Sequence, residues 1–170
     1  MGKYKNYIIA LAIVGLILIS SKVSAAKIIA NFENIRLKAY KDSAGIWTIG
    51  YGSTYNPETG TRIKEGDVIT KETALRWLNL VTASTQNSVK NLVKRPINDR
   101  QLAALTSLAY NIGVGAFSRS TLLRKLNAGA NDQEVAAHFA DFNKVTTPKG
   151  KVVSRGLIRR RKEEAELYLS

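Results

Sequence analysis

The sequence predicts an α+β fold in which a small antiparallel sheet lobe is followed by a larger helical lobe, with an apolar helical segment ahead of both. Three observations predict it. An unbroken apolar run occupies residues 8–19. Trp47, Ile49 and Tyr51 alternate with Thr48, Gly50 and Gly52, the period of two that marks a strand. From Thr70 onward, apolar residues recur at helical spacing behind a series of capping residues. A chain of 170 residues suits one domain, here residues 27–170, behind an N-terminal segment, residues 1–26. An apolar fraction of 45% is that of a packed globule. There is no cysteine, which excludes disulfides and thiolate metal sites and leaves the fold to rest on its core.

The N-terminal segment opens with Lys3 and Lys5 and then runs from Ile8 to Ile19 without a polar side chain. Twelve helical residues rise about 18 Å, against a hydrocarbon core of roughly 30 Å. That is short for a stable span and suits the apolar region of a secretory signal. Extension through Ala26 reaches the length of a span only by including Lys22, which can snorkel to the interface. Val23-Ser24-Ala25 followed by Ala26 also has the small residues of a processing site. A cleaved signal and a weak retained anchor therefore both stand, and both send the protein outward. The positive flank and unbroken apolarity disfavour a buried core helix.

Next comes Glu33, at the end of an apolar helix-like run, then Asp42 in a turn-rich segment and Thr48 on the short strand. Two acids and a hydroxyl are the groups that glycoside hydrolysis uses: one acid to protonate the leaving oxygen, the other with the hydroxyl to manage water or the developing charge. By spacing alone such a pair is ordinary, since most carboxylates are solvated. If residues 1–26 lay in a bilayer, Glu33 would sit within about 10 Å of it.

Residues 45–69 read as the antiparallel sheet, with turns at Asn56-Pro57-Glu58-Thr59-Gly60 and Lys64-Glu65-Gly66-Asp67. The glycines lack the strand–loop–helix context of a phosphate-binding loop. Thr70 caps a helix carrying Ala74, Leu75, Leu78, Val81 and Val89, with Trp77 a core residue. Asn98 and Gln101 form a capping-box pattern before a helix that ends at Asn111-Ile112-Gly113. Ser118 opens another toward Leu126, closed by Asn127-Ala128-Gly129, and Asn131 with Glu134 opens one through Phe142. Residues 143–154 read as a polar loop and residues 155–169 as a final helix.

Lys and Arg total 26 against 13 acids, a net charge of +13, which implies an anionic partner: nucleic acid, anionic lipid or wall polymer. Eight basic residues, from Lys144 to Lys162, occur with no acid among them, which a solvated helix face also explains. His138 is the only histidine, with no second histidine or cysteine to make a metal site and no Gly-x-Ser-x-Gly elbow to make a triad.

The frame Glu-x-x-Arg-Leu-x-x-Tyr-x-Asp-x-x-Gly-x-x-Thr-Ile-Gly-x-Gly, read from Glu33 to Gly52, resembles the phage-type lysozymes, endolysins that cut bacterial peptidoglycan. The resemblance implies that Glu33, Asp42 and Thr48 form the catalytic group, and Arg36, Leu37, Tyr40, Gly45, Ile49, Gly50 and Gly52 match too. Asn34 stands where relatives often have Gly, and Ser53 where they usually have His, a structural partner. The stretch from Leu108 to Leu123 resembles the family again and implies glycan contacts by Tyr110, Asn111 and Ser120. Read from the residues themselves, Tyr110 fits a core position and Ser120 a helix cap. A third family-like segment, Gly156 to Glu164, reads as a core and ion-pair helix, and the resemblance covers about residues 28–169.

The implied protein is a lysozyme-like muramidase with glycan bound between its lobes, cutting the bond between MurNAc and GlcNAc. Glu33 is its general acid, Asp42 stays ionised, and no cofactor or metal is needed. Its partners are peptidoglycan glycan strands and, through a segment resembling a signal-anchor-release sequence, the host inner membrane at its periplasmic face, with release to the periplasm. The expectation is a monomer with no nucleic-acid partner. A lytic transglycosylase, needing only Glu33, and a non-catalytic basic module are the alternatives.

Overall fold

The computed structural model describes residues 24–170 apart from Ser43, Pro148 and Lys149. The apolar run at residues 8–19 lies outside the described residues. Among them, no helix is long and apolar enough to cross a membrane.

Helix α1, Ala25–Phe32, starts where Ser24 Oγ accepts the Lys27 N–H. Ala25 and Ile29, one helical turn apart, are its buried face, and Ile29 packs with Tyr51, Ala74 and Leu78. The helix ends at Glu33, whose backbone is extended and whose N–H still bonds Ile29 O at 3.0 Å. This puts the carboxylate at the hinge between helix and sheet.

Strands β1, Arg36–Lys41, and β2, Trp47–Gly50, pair antiparallel, with Tyr40 opposite Thr48 and Lys41 opposite Trp47. The sheet thus begins earlier than residue 45. Arg36, Leu37, Lys38 and Lys41 of β1 are exposed, so this strand has no buried apolar face to set a period of two. Bridges from Lys38 to Val68, Ile49 to Ser53 and Tyr55 to Arg62 extend the lobe through the two expected turns. Gly50 has φ 66°, a left-handed backbone that favours glycine, and a Cβ there would make only ordinary contact with Ile69 and Ala74 at 3.4 and 3.6 Å.

That helix, α2, Lys71–Leu92, is capped by Thr70 and ties the lobes together. Its buried stripe is Ala74, Trp77, Leu78, Thr82, Thr85 and Val89; Leu75, expected inside, is exposed one position off the stripe. Glu58 clamps the sheet lobe to it, accepting from Arg76 Nε at 2.7 Å and Trp77 Nε1 at 3.0 Å. These two bonds, Arg76 first, hold the Glu58 carboxyl below its ordinary value. A depressed carboxyl contributes stability above its unfolded value and loses it as pH falls through its folded one. Glu58→Gln is therefore expected to lower the melting temperature at neutral pH, with the gap to wild type closing as the solution is acidified through the carboxylate range. A gap independent of pH in thermal scans would contradict the clamp.

Helix α3, Asp99–Ile112, carries the complete Asn98–Gln101 capping box and is buried at every residue from Gln101 to Ala109, the centre of the helical lobe. Around it lie α4, Val114–Ser118, α5, Thr121–Asn127, and α6, Asp132–Ala137. Ser118 ends α4 rather than opening a helix: its Oγ bonds back to Gly115 O, and Ser120 is the cap of α5. The helix expected through Phe142 tightens at His138 into a 3-10 turn, His138–Phe142.

The expected polar loop at 143–154 is a hairpin, β3, Lys144–Thr147, against β4, Gly150–Val153. Its β-branched Val145, Thr146, Thr147, Val152 and Val153 favour strands, but its mostly exposed surface hides the alternation in sequence. Helix α7, Arg155–Leu169, closes the fold as expected and packs on α3 through Tyr168, Glu164, Arg161 and Arg160.

Candidate active site

Of the two sequence-predicted acids and the hydroxyl, Glu33 ends α1, Asp42 follows β1 and Thr48 lies on β2. Asp42 follows β1 directly. Its Oδ1 accepts the N–H groups of Ala44 and Ile46, both at 2.9 Å. Thr48 Oγ1 donates to Ile46 O at 3.0 Å. Ile46 is thus held from both sides, and Asp42 and Thr48 are fixed relative to one another through one peptide. Both bonds fall on Oδ1, which leaves Oδ2 for an incoming group.

Tyr40 reports how the two carboxylates lie. It pairs across the sheet with Thr48, and the strand period puts Asp42 on the same side. Burial raises the Tyr40 phenol above its ordinary value, Arg36 opposes this, and the charges of Glu33 and Asp42 each add to it. The Arg36 guanidinium stacks 4.3 Å from the Tyr40 ring centre. One side chain therefore feels both carboxylates.

Glu33 is held from the helical lobe. Arg160 Nη1 donates to Glu33 Oε1 at 2.5 Å, and the same guanidinium lies 5.0 Å from the Phe32 ring centre. Its Nε donates to Glu164 Oε1 at 3.0 Å and its Nη2 to Ser107 O at 3.3 Å. Glu164 also takes Ser107 Oγ at 2.6 Å and Arg161 Nη2 at 3.2 Å. Burial pushes the Glu164 carboxyl up, while the two guanidiniums and Ser107 pull it down. Burial likewise lowers Arg161 to about 10. Arg160 and Arg161 are 4% and 2% exposed, so this part of the basic run is no solvated helix face. The ion-pair helix was legible in the spacing of Arg160 and Arg161 to Glu164, but its reach to Glu33 was not.

The residues matched to glycan contacts are dispersed in role. Tyr110 is mostly buried and its hydroxyl donates to Tyr51 O at 2.8 Å, joining helical and sheet lobes; burial first and Glu33 second raise its phenol. Asn111 is exposed, and its Oδ1 accepts from Arg161 Nη2 at 3.1 Å. Ser120 is buried and its oxygen caps α5 at the Leu123 N–H. Ser53 is buried in a tight turn, exchanging both backbone bonds with Ile49. Asn34 is exposed. His138 pairs with Asp141 at 2.8 Å. Among the described residues, no three His, Asp or Glu side chains converge as metal ligands.

Residues 30–164 match the phage lysozyme family. The chain is 38% identical over 143 residues to an endolysin of Acyrthosiphon pisum secondary endosymbiont phage 1, covering 84% of this chain and 93% of that one. It is 34% identical to a SAR-endolysin of Enterobacteria phage P21, covering 81% and 77%. Among solved structures, an endolysin from Escherichia coli O157:H7 phage FAHEc1 superposes with a TM-score of 0.77 at 39% identity, covering 86% of this chain and 90% of that one.

Proposed function

Because the chain belongs to the phage lysozyme family, endolysins whose muramidase activity degrades peptidoglycan and lyses the host, we propose that Glu33 is its general acid and that Asp42 and Thr48 manage the attacking water. The observation that carries this reading is the tie between Asp42 and Thr48, since Asp42 Oδ1 accepts the Ile46 N–H while Thr48 Oγ1 donates to Ile46 O. Glu33 delivers a proton to the glycosidic oxygen after MurNAc. Arg160 occupies Oε1, so Oε2 is the oxygen free to carry that proton. Asp42, fixed through Oδ1 by two N–H groups, offers Oδ2 to water or to the oxocarbenium-like charge. Thr48, its proton committed to Ile46 O, presents lone pairs that accept from the same water. Asn111 offers its amide to the glycan, Tyr110 steadies the two lobes beside it, and Ser120 acts through the cap of α5.

The test is digestion of purified peptidoglycan with mass analysis of the fragments. Hydrolysis leaves free reducing MurNAc ends, and Asp42→Asn and Thr48→Val each slow their appearance. Predominantly 1,6-anhydro-MurNAc ends would instead make the protein a transglycosylase that works through Glu33 alone.

The same reading extends to control. Residues 1–26 form a signal-anchor-release segment that holds the enzyme at the periplasmic face of the inner membrane, and residues 27–170 form the catalytic domain, a monomer. Similarity to a SAR-endolysin supports this. So does α1, because cleavage after Ala25 would remove both its Ser24 cap and its buried Ala25. Loss of such a cap alone costs about 1 kcal/mol.

A further inference from the structure

A general acid must carry a proton, yet Glu33 is bonded to a guanidinium, which favours the ionised carboxylate. The counterweight lies in Glu164, which takes no part at the glycosidic bond. Glu164 is buried on α7, and its Oε1 accepts from Ser107 Oγ at 2.6 Å, Arg160 Nε at 3.0 Å and Arg161 Nη2 at 3.2 Å. Its Oε2 lies 3.0 Å from Arg161 Nε. Burial raises this carboxyl and the two guanidiniums counter that, so the geometry is one that fits a charged acid. Arg160 in turn has Nε on Glu164, Nη1 on Glu33 and Nη2 on Ser107 O, so one planar group spans both acids.

The charges of this cluster decide what Glu33 meets. Arg160 and Arg161 bring two positive charges, Glu164 one negative, and Glu33 a second when ionised. With Glu164 in place, one net positive charge faces Glu33; without it, two would. Around Glu33 stand also Tyr40 from β1 and Tyr110 from α3, whose phenols lie above their ordinary value and stay neutral, with Arg36 and Asp42 the charges that act on Tyr40. Arg161 feels Glu33 as well. The geometry points to Glu164 as a positioning residue for the catalytic proton: by balancing Arg161 and sharing Arg160, it leaves Glu33 facing a single positive charge and able to hold its proton at the pH of catalysis. This deepens the general-acid reading of Glu33 and rests on it.

The experiment measures cleavage of purified peptidoglycan against pH at low substrate, where the profile reports the groups of the free enzyme. Its alkaline limb marks loss of the acid's proton. In Glu164→Gln that limb is expected to move down by about one pH unit, tenfold in proton affinity. In Arg161→Gln, which removes the opposite charge, it moves up. Glu164→Gln/Arg161→Gln returns it to the wild-type position, whatever the maximal rate. Lys162→Gln, which removes an exposed charge from the same helix, leaves it in place. A helix merely loosened lowers the rate at every pH and gives no shifts of opposite sign. An unmoved limb in either folded single variant overturns the proposal. So does an equal shift in Lys162→Gln and Arg161→Gln, which would assign the effect to net charge. Where Glu164→Gln fails to fold, the upward shift in Arg161→Gln and its cancellation in the double variant decide alone. Retained turnover in Glu33→Gln removes instead the general acid on which the proposal rests.

Discussion

Glu33→Gln is expected to lower the rate of peptidoglycan cleavage by roughly 10²–10⁴, the usual worth of a positioned general acid. The substitution is chosen for what it preserves. A glutamine carbonyl can still accept from Arg160 Nη1, and the guanidinium keeps Glu164 and Ser107 as partners and the Phe32 ring beside it. What is lost is the proton that the leaving oxygen must receive. Glu33→Ala is a poorer test, because it strips a ligand from a buried cation, and removing one member of a buried pair costs about 3–5 kcal/mol. Turnover within a few-fold of wild type, in a Glu33→Gln protein whose melting temperature is unchanged, would remove Glu33 from the mechanism.

What the chain reveals before folding depends on how local the signal is. The caps at Thr70, Asn98 and Asn131 were legible because one side chain bonds an N–H three residues on, and all three bonds form. The final helix was legible from its spacing. Ser118 and Ser120 are both hydroxyls at a helix boundary, and only in the fold does Ser118 bond back to Gly115 O while Ser120 takes the free N–H of Leu123. The strand β1 and the hairpin were missed for one reason: a largely solvated strand has no buried face to write an alternation into the sequence.

At the site, the motif pointed to Glu33, Asp42 and Thr48, and their neighbours followed from it only in part. Arg36 and Tyr40 belong to the same short frame, so their stacking could be anticipated. Arg160 is separated from Glu33 by 127 positions, and a run of basic residues says nothing about which of them turns inward. That Arg160 and Arg161 face Glu164 while Arg159 and Lys162 face solvent is a consequence of helical phase against α3. A charge run becomes informative once the acid it must neutralise is known to be buried.

Lengthening the apolar run with Gly15→Leu, Ser20→Leu and Ser21→Leu is expected to trap the protein in the membrane and abolish lysis. The argument joins the proposed anchor to α1. Ala25 is buried, Ile29 packs against Tyr51, Ala74 and Leu78, and the helix they belong to ends at Glu33. If the chain through Ala26 lay in a bilayer, Ala25 could not be buried in the domain and α1 could not dock. Glu33 would then be drawn away from Arg160 and from the Asp42–Thr48 pair, so an anchored protein would be silent. A short run flanked by Lys3, Lys5 and Lys22 is held weakly, and the membrane field acts on those charges at about 2.3 kcal/mol per charge per 100 mV. Collapse of the field releases the segment, α1 docks, and the acid meets its partners. Three added leucines make the run a stable span that no longer leaves. The deciding measurement is the intact mass of the active periplasmic species. The full chain supports release, whereas a form shorter by roughly 25 residues, the length of a signal peptide, shows cleavage and overturns the anchor.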